Sequence, residues 1–141
     1  MADPLSIAAS IAGLLTITTR IYSTVKDFAS SLADAPKSAL SLLQTIEDMK
    51  LTLVLFKDLM NELSTLPPEK KAMIRLDHIA ITFTHCIATM SELESMVLVD
   101  NLSGVWDRLR WTLKEDKLTA LLPRLESQKS SLSLMVSVLR W

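Results

Sequence analysis

The chain has 141 residues, 49% of them apolar and only 5% aromatic, with two Gly, five Pro and a single Cys. So few turn residues and aromatics disfavour a multi-stranded β fold, and one cysteine excludes an internal disulfide framework. A net charge of −1, with a sequence pI near 6.1, provides no global attraction to nucleic acid, and a mean hydropathy of +0.30 is high for so small a domain. The composition reads as one all-α domain.

The first predicted element is the least charged. Asp3 before Pro4 is a helix start signal, because an Asx side chain accepts from free backbone N–H groups while Pro at the first position lacks an N–H that would be unpaired anyway. No charged residue lies between Asp3 and Arg20. Ile7, Ile11, Leu14, Thr18, Ile21, Val25 and Phe28 follow steps of four and three, the signature of a helical stripe ending near Leu32. Ser6, Ser10, Gly13 and Thr16 run along a different stripe that continues to Arg20, Ser23 and Asp27, giving the helix a small, weakly polar second face.

Three further patterns follow. From Lys37 to about Ser64 the stripe is Leu42, Ile46, Met49, Leu53, Phe56, Met60 and Leu63, and it stops at two prolines. From about Pro68 to Val99 it is Leu76, Ile79, Phe83, Cys86, Met90, Leu93 and Val97. Ser103 is then read as the N-cap of a short helix carrying Val105, Trp106, Leu109 and Leu113. Asp116 is read as the start of a last helix with Leu118, Leu122, Leu125, Leu132, Met135 or Val136, and Leu139 inward, bent at Pro123 and interrupted at Gln128 and Lys129. The expectation is a four-helix bundle with an additional short helix leading into the last long one.

The apolar N-terminus fits a targeting signal badly, since its early charge is acidic where a secretory signal begins with basic residues. As a permanent span it is short: the uncharged run 4–19 reaches about 24 Å as a helix, against a hydrocarbon core of about 30 Å. Its residues Leu5, Ile7, Ala8, Ile11, Ala12, Leu14, Leu15, Ile17 and Ile21 are the candidates for a conditional membrane-inserting helix, with Ser6, Ser10, Gly13 and Thr16 as a self-association face. Small residues allow such helices a close approach.

No catalytic constellation emerges. His78 and His85 are seven residues apart on one helix, about 10.5 Å along its axis, too far to share a metal. Cys86 falls on an apolar stripe, where a thiol acts as a small hydrophobe. There is no Gly-rich phosphate loop, GxSxG elbow or HExxH. The expectation is a non-enzyme without metal or cofactor and without nucleic-acid partners. One local charge cluster stands out: Trp106, Arg108, Arg110, Trp111, Lys114 and Lys117 combine basic and aromatic groups as an anionic membrane surface would require, although Asp107, Glu115, Asp116 and Glu126 interleave with them and favour a mixed, solvated face.

Two blocks carry a family resemblance. The start DPLSIAASIAGLL, residues 3–15, and the later LRWTLK and RLESQKSSLSL, residues 109–114 and 124–134, resemble the HeLo-like N-terminal domain of fungal STAND proteins, the NLR-like receptors. The resemblance covers essentially the whole chain and implies a single bundle over 1–141 at the front of a longer multidomain protein. It also implies similarity to the four-helix bundle of the mixed-lineage kinase-like pseudokinase and to plant NLR coiled-coil domains. Such domains execute or signal programmed cell death without catalysis. By this resemblance, residues 4 to about 22 target a membrane after self-oligomerisation, triggered by a downstream receptor or amyloid-signalling module. The implied location is the cytoplasm, with relocation to anionic lipids of the plasma membrane. The alternative is a homotypic or adaptor module in which the first helix stays buried.

Overall fold

A computed structural model describes residues 4–65, 67, 69, 76–97 and 107–139, with the side chains of 107–110 excepted. The described residues form four helices and no strand: α1 (Pro4–Ser30), α2 (Lys37–Leu63), α3 (Leu76–Val97) and α4 (Asp107–Leu139). The periodicity determines which faces turn inward. Every member of the α1 stripe from Ile7 to Phe28 is buried, as is the whole α2 stripe from Leu42 to Leu63. On α3 the stripe is buried from Ile79 to Val97, with Leu76 partly covered.

The ends of α1 and α2 have local causes. Ser31 closes α1, its backbone N–H donating to Asp27 O at 3.1 Å and its hydroxyl to Phe28 O at 2.7 Å. Pro36 fixes the entry to α2, its carbonyl accepting from the N–H groups of Ala39 and Leu40.

The helices close into a ring in which α1 packs on α2 and α3, and α4 packs on the same two. Direction follows from the polar contacts. Ser38 and Thr45 of α2 meet Trp111 and Glu126 of α4, so these two run parallel, whereas Glu92 and Thr89 of α3 meet Arg124 and Gln128, so α3 and α4 run antiparallel. The remaining combinations, α1 with α4 and α2 with α3, lie across the diagonals. Each diagonal is bridged by an aromatic pair: Phe28 stacks on Trp111 with centroids 4.9 Å apart, and Phe56 meets Phe83 edge-on at 5.0 Å.

The last helix departs from the expected division. No new helix starts at Asp116 and no break separates a short leading helix: α4 is continuous from Asp107 through Pro123 to Leu139, while 103–106 lie outside the described residues. An interior Pro costs a helix about 3 kcal/mol. The flanking Leu118, Leu121 and Leu125 are all buried, and burial at about 1.5–3 kcal/mol each offsets that cost. Leu113, expected with the apolar residues of the short helix, is instead exposed on α4.

Polar contacts hold α4 on both flanks. Toward α2, buried Thr45 donates to Glu126 at 3.0 Å, and Lys129 pairs with Glu126 at 2.9 Å and Asp48 at 3.7 Å. Toward α3, Arg124 meets Glu92 at 3.0 Å, and the Gln128 amide donates to buried Thr89 at 2.8 Å. The Lys129 ammonium, then the Thr45 hydroxyl, hold the Glu126 carboxyl below its ordinary value of 4.5. A lowered folded-state value contributes stability above the unfolded value that is lost as pH falls through the folded one. The destabilisation caused by Glu126→Gln is therefore full near pH 6 and shrinks as pH drops below 4.5. Urea unfolding of both proteins across that range checks this, and a gap independent of pH contradicts it.

Candidate functional site

The first helix presents two unlike faces, and both are legible in side-chain exposure. Of the candidate inserting residues, Ile7, Ala8, Ile11, Leu14 and Ile21 are buried in the bundle, Ala12, Leu15 and Ile17 are half-buried, and Leu5 is 62% exposed. The candidate self-association residues Ser6, Ser10, Gly13 and Thr16 are all exposed on the outward face. The helix is thus packed by its stripe while its outer side faces solvent.

That outer side is less polar than its composition suggests. The Ser10 hydroxyl donates back to Ser6 O at 3.2 Å and the Thr16 hydroxyl to Ala12 O at 3.1 Å, so both donors are spent on their own helix. A Cβ added at Gly13 meets nothing within 4 Å, so packing within the monomer does not demand glycine there. Buried Thr18 behaves the same way on the inner face, its hydroxyl donating to Leu14 O at 2.7 Å. The first basic residue, Arg20, pairs with Glu94 of α3 at 3.0 Å, both side chains being substantially exposed.

A shallow groove of about 140 Å³ runs between α1 and α3, lined by Ser6, Ile7 and Ser10 on one side and Ala80, Phe83, Thr84 and Ile87 on the other. Among the described residues its lining is uncharged. Among the described residues α1 is the helix long and apolar enough to cross a membrane, with 27 residues and a mean hydropathy of 1.4 over its most apolar window. At about 1.5 Å per residue the whole helix spans about 40 Å, beyond the limits of its uncharged run.

The described members of the basic and aromatic cluster do not share one environment. Trp111 is 2% exposed: it stacks on Phe28 in the core, and its indole N–H donates to Ser38 Oγ at 2.8 Å. A large ring with one donor is well suited to such a site, where the apolar body is covered and the N–H still finds a partner. Lys114 turns toward α3 and donates to Met96 O at 2.8 Å, while Lys117 is exposed. Trp106 and the side chains of Arg108 and Arg110 lie outside the described residues. Trp111 is therefore corrected from interfacial anchor to core residue. Its place at the head of a seven-residue repeat, Trp111, Leu118, Leu125 and Leu132, all buried, is the sequence signal that marks it so.

Cys86 is also core, and burial pushes its thiol up to about 11, leaving it protonated near neutral pH. No group of three or more His, Cys, Asp or Glu able to hold a metal occurs among the described residues. Comparison of the chain with protein-family models, with curated proteins and with solved structures gives no match.

Gly13 yields a direct expectation. An exposed helix-interior glycine costs about 0.5–1 kcal/mol relative to alanine, and the added methyl meets open space here. Gly13→Ala raises the stability of the monomer by that amount in urea unfolding. A loss of stability would mean that the glycine fills a packing role inside the bundle.

Proposed function

We propose that this chain is a non-enzymatic signalling domain of the HeLo-like type found at the front of fungal STAND receptors. Its N-terminal helix targets or permeabilises a membrane once the domain is oligomerised. The observation that carries this reading is the charge-free outer face of α1: between Pro4 and Thr19 neither the buried stripe nor the solvent-facing side bears a charge. The bundle alone does not require that, because an outward helix face in water ordinarily collects charged residues, as α2 does at Glu47, Asp58 and Glu62.

The energetics of release favour the same reading. Moving α1 into lipid exchanges one apolar environment for another, and the helix takes its backbone hydrogen bonds with it. Thr18, the buried polar residue of its stripe, bonds within α1 and orphans no group on another helix when it leaves. The polar tie at Arg20–Glu94 is an exposed pair, worth about 0–1 kcal/mol. Arg20 then snorkels to the headgroups while the Ser6, Ser10, Gly13 and Thr16 faces of several copies meet. The main cost lies in the apolar faces of α2 and α3 that α1 had covered, and association of copies offsets it. Insertion and oligomerisation are coupled for that reason. The initiating partner, a downstream receptor or amyloid-signalling module, and relocation from cytoplasm to plasma membrane belong to the same proposal.

The rival is an adaptor module with α1 permanently buried, and the complete burial of the Ile7–Phe28 stripe favours it. Dye release from anionic vesicles by artificially dimerised domain separates the two. A charge at Ile11 would unfold the bundle, because that side chain is fully buried, so the informative variant is Leu5→Glu with Ala9→Glu at exposed positions. The double variant stays folded and loses about tenfold in leakage, since two charges near the leading end of the helix must enter the apolar layer, each at less than the about 2.5–3.5 kcal/mol of a helix centre. Unchanged leakage, or amide protection over 7–28 that is indifferent to vesicles, supports the rival.

A further inference from the structure

On the side of the molecule away from α2, α3 and α4 enclose a groove of about 460 Å³ lined by Thr82, His85, Arg124, Ser127, Gln128 and Ser131, together with Pro123. Among the described residues no carboxylate lines it. We infer that this groove is a binding site for a phosphate monoester carried on a hydroxylated molecule, with the Arg124 guanidinium as its anchor and Glu92 as the internal group that the phosphate displaces.

The case rests on how its polar groups are paired. Arg124 presents a planar fork, with Nη1 on Glu92 Oε2 at 3.0 Å and Nη2 on Thr89 Oγ1 at 3.3 Å. Half of the Arg124 side chain and nearly half of that of Glu92 are open to solvent, so the pair is worth about 0–1 kcal/mol and exchanges easily. A phosphate offers two oxygens to the same fork and a larger charge. Ser127 and Ser131 stand one turn apart on α4, both exposed, and His85 faces them from α3. Each hydroxyl can donate to a phosphate oxygen, and so can an imidazole N–H. The Thr82 hydroxyl already donates to His78 O at 3.0 Å and serves as wall.

The second observation is an orphan. Gln128 spends its amide N–H groups on Thr89 Oγ1 at 2.8 Å and His85 O at 3.4 Å, which fixes the amide orientation and leaves Oε1 as a buried side-chain oxygen with no partner. A buried acceptor without a donor is costly, and an anion alone would not relieve it. A ligand hydroxyl relieves it once the amide turns Oε1 to the groove, giving up the long 3.4 Å contact to His85 O, and the ligand class is therefore a phosphorylated hydroxy compound and not a bare anion. The same chemistry occurs in a free polyol phosphate and in a lipid headgroup.

The site does not involve α1, so it stands or falls separately from the membrane reading. Glycerol 3-phosphate, and vesicles of phosphatidylcholine with and without phosphatidic acid, are titrated against the full chain, with the His85 ring signals followed by NMR. Saturable binding of glycerol 3-phosphate that shifts His85 identifies a free solute, and binding only to phosphatidic acid vesicles that shifts His85 and is weakened by Arg124→Gln identifies a headgroup; either supports the site, whereas vesicle binding indifferent to Arg124 belongs to α1 and overturns it. Arg124→Gln weakens binding by about tenfold or more. Glu92→Gln removes the competitor and tightens binding by up to about fivefold, a gain that misfolding cannot imitate. No binding to either probe, or affinities unmoved by both substitutions, overturns the inference.

Discussion

The constraint on which this bundle depends is that α1 has one side to bury and three other helices that are incomplete without it. Its stripe fills the corner between α2 and α3 and reaches across the diagonal at Phe28 to Trp111. With α1 in place, the stripes of α2 and α3 have a common interior. Without it, Phe83, which lies beside Ile7, loses an apolar neighbour and gains water. The fold and the proposed activity therefore draw on the same contacts.

Attachment differs between the helices. α4 is held to both neighbours by side chains whose geometry is specific, Thr45 with Glu126 and Thr89 with Gln128, and these fix its register as well as its position. α1 is held chiefly by a continuous apolar stripe, with an exposed ion pair at Arg20. Apolar burial is strong but non-directional, so another apolar medium can replace it. A directional polar clamp has no such substitute in lipid.

Most of the architecture was legible because three stripes with steps of four and three turned out to be the buried faces, residue for residue from Ile7 to Val97 apart from the half-covered Leu76. The last helix was misread for a physical reason. Asp116 and Pro123 are local stop and start signals, and Gln128 and Lys129 interrupt the apolar pattern, yet Trp111, Leu118, Leu125 and Leu132 repeat in sevens straight through all of them. Tertiary burial of that repeat outweighed the local signals, and the two interrupting residues are polar because they reach sideways to α3 and α2. The outward face of α1 was readable from spacing alone. The groove at Arg124 was not, since short connections imply antiparallel neighbours but no periodicity sets the register that brings His85 opposite Ser127.

Thr18 gives this helix an unusual independence from its surroundings. A buried hydroxyl ordinarily commits a segment to one particular neighbour, because the group that completes it sits on another part of the chain. Here the completing atom, Leu14 O, travels with the donor. The hydroxyls of Ser10, Thr16 and Thr18 are thus all satisfied within α1, while Arg20 bonds outward to Glu94. Under the proposed reading, that self-sufficiency is what allows α1 to exchange the bundle interior for another apolar volume without stranding a polar group on its former neighbours.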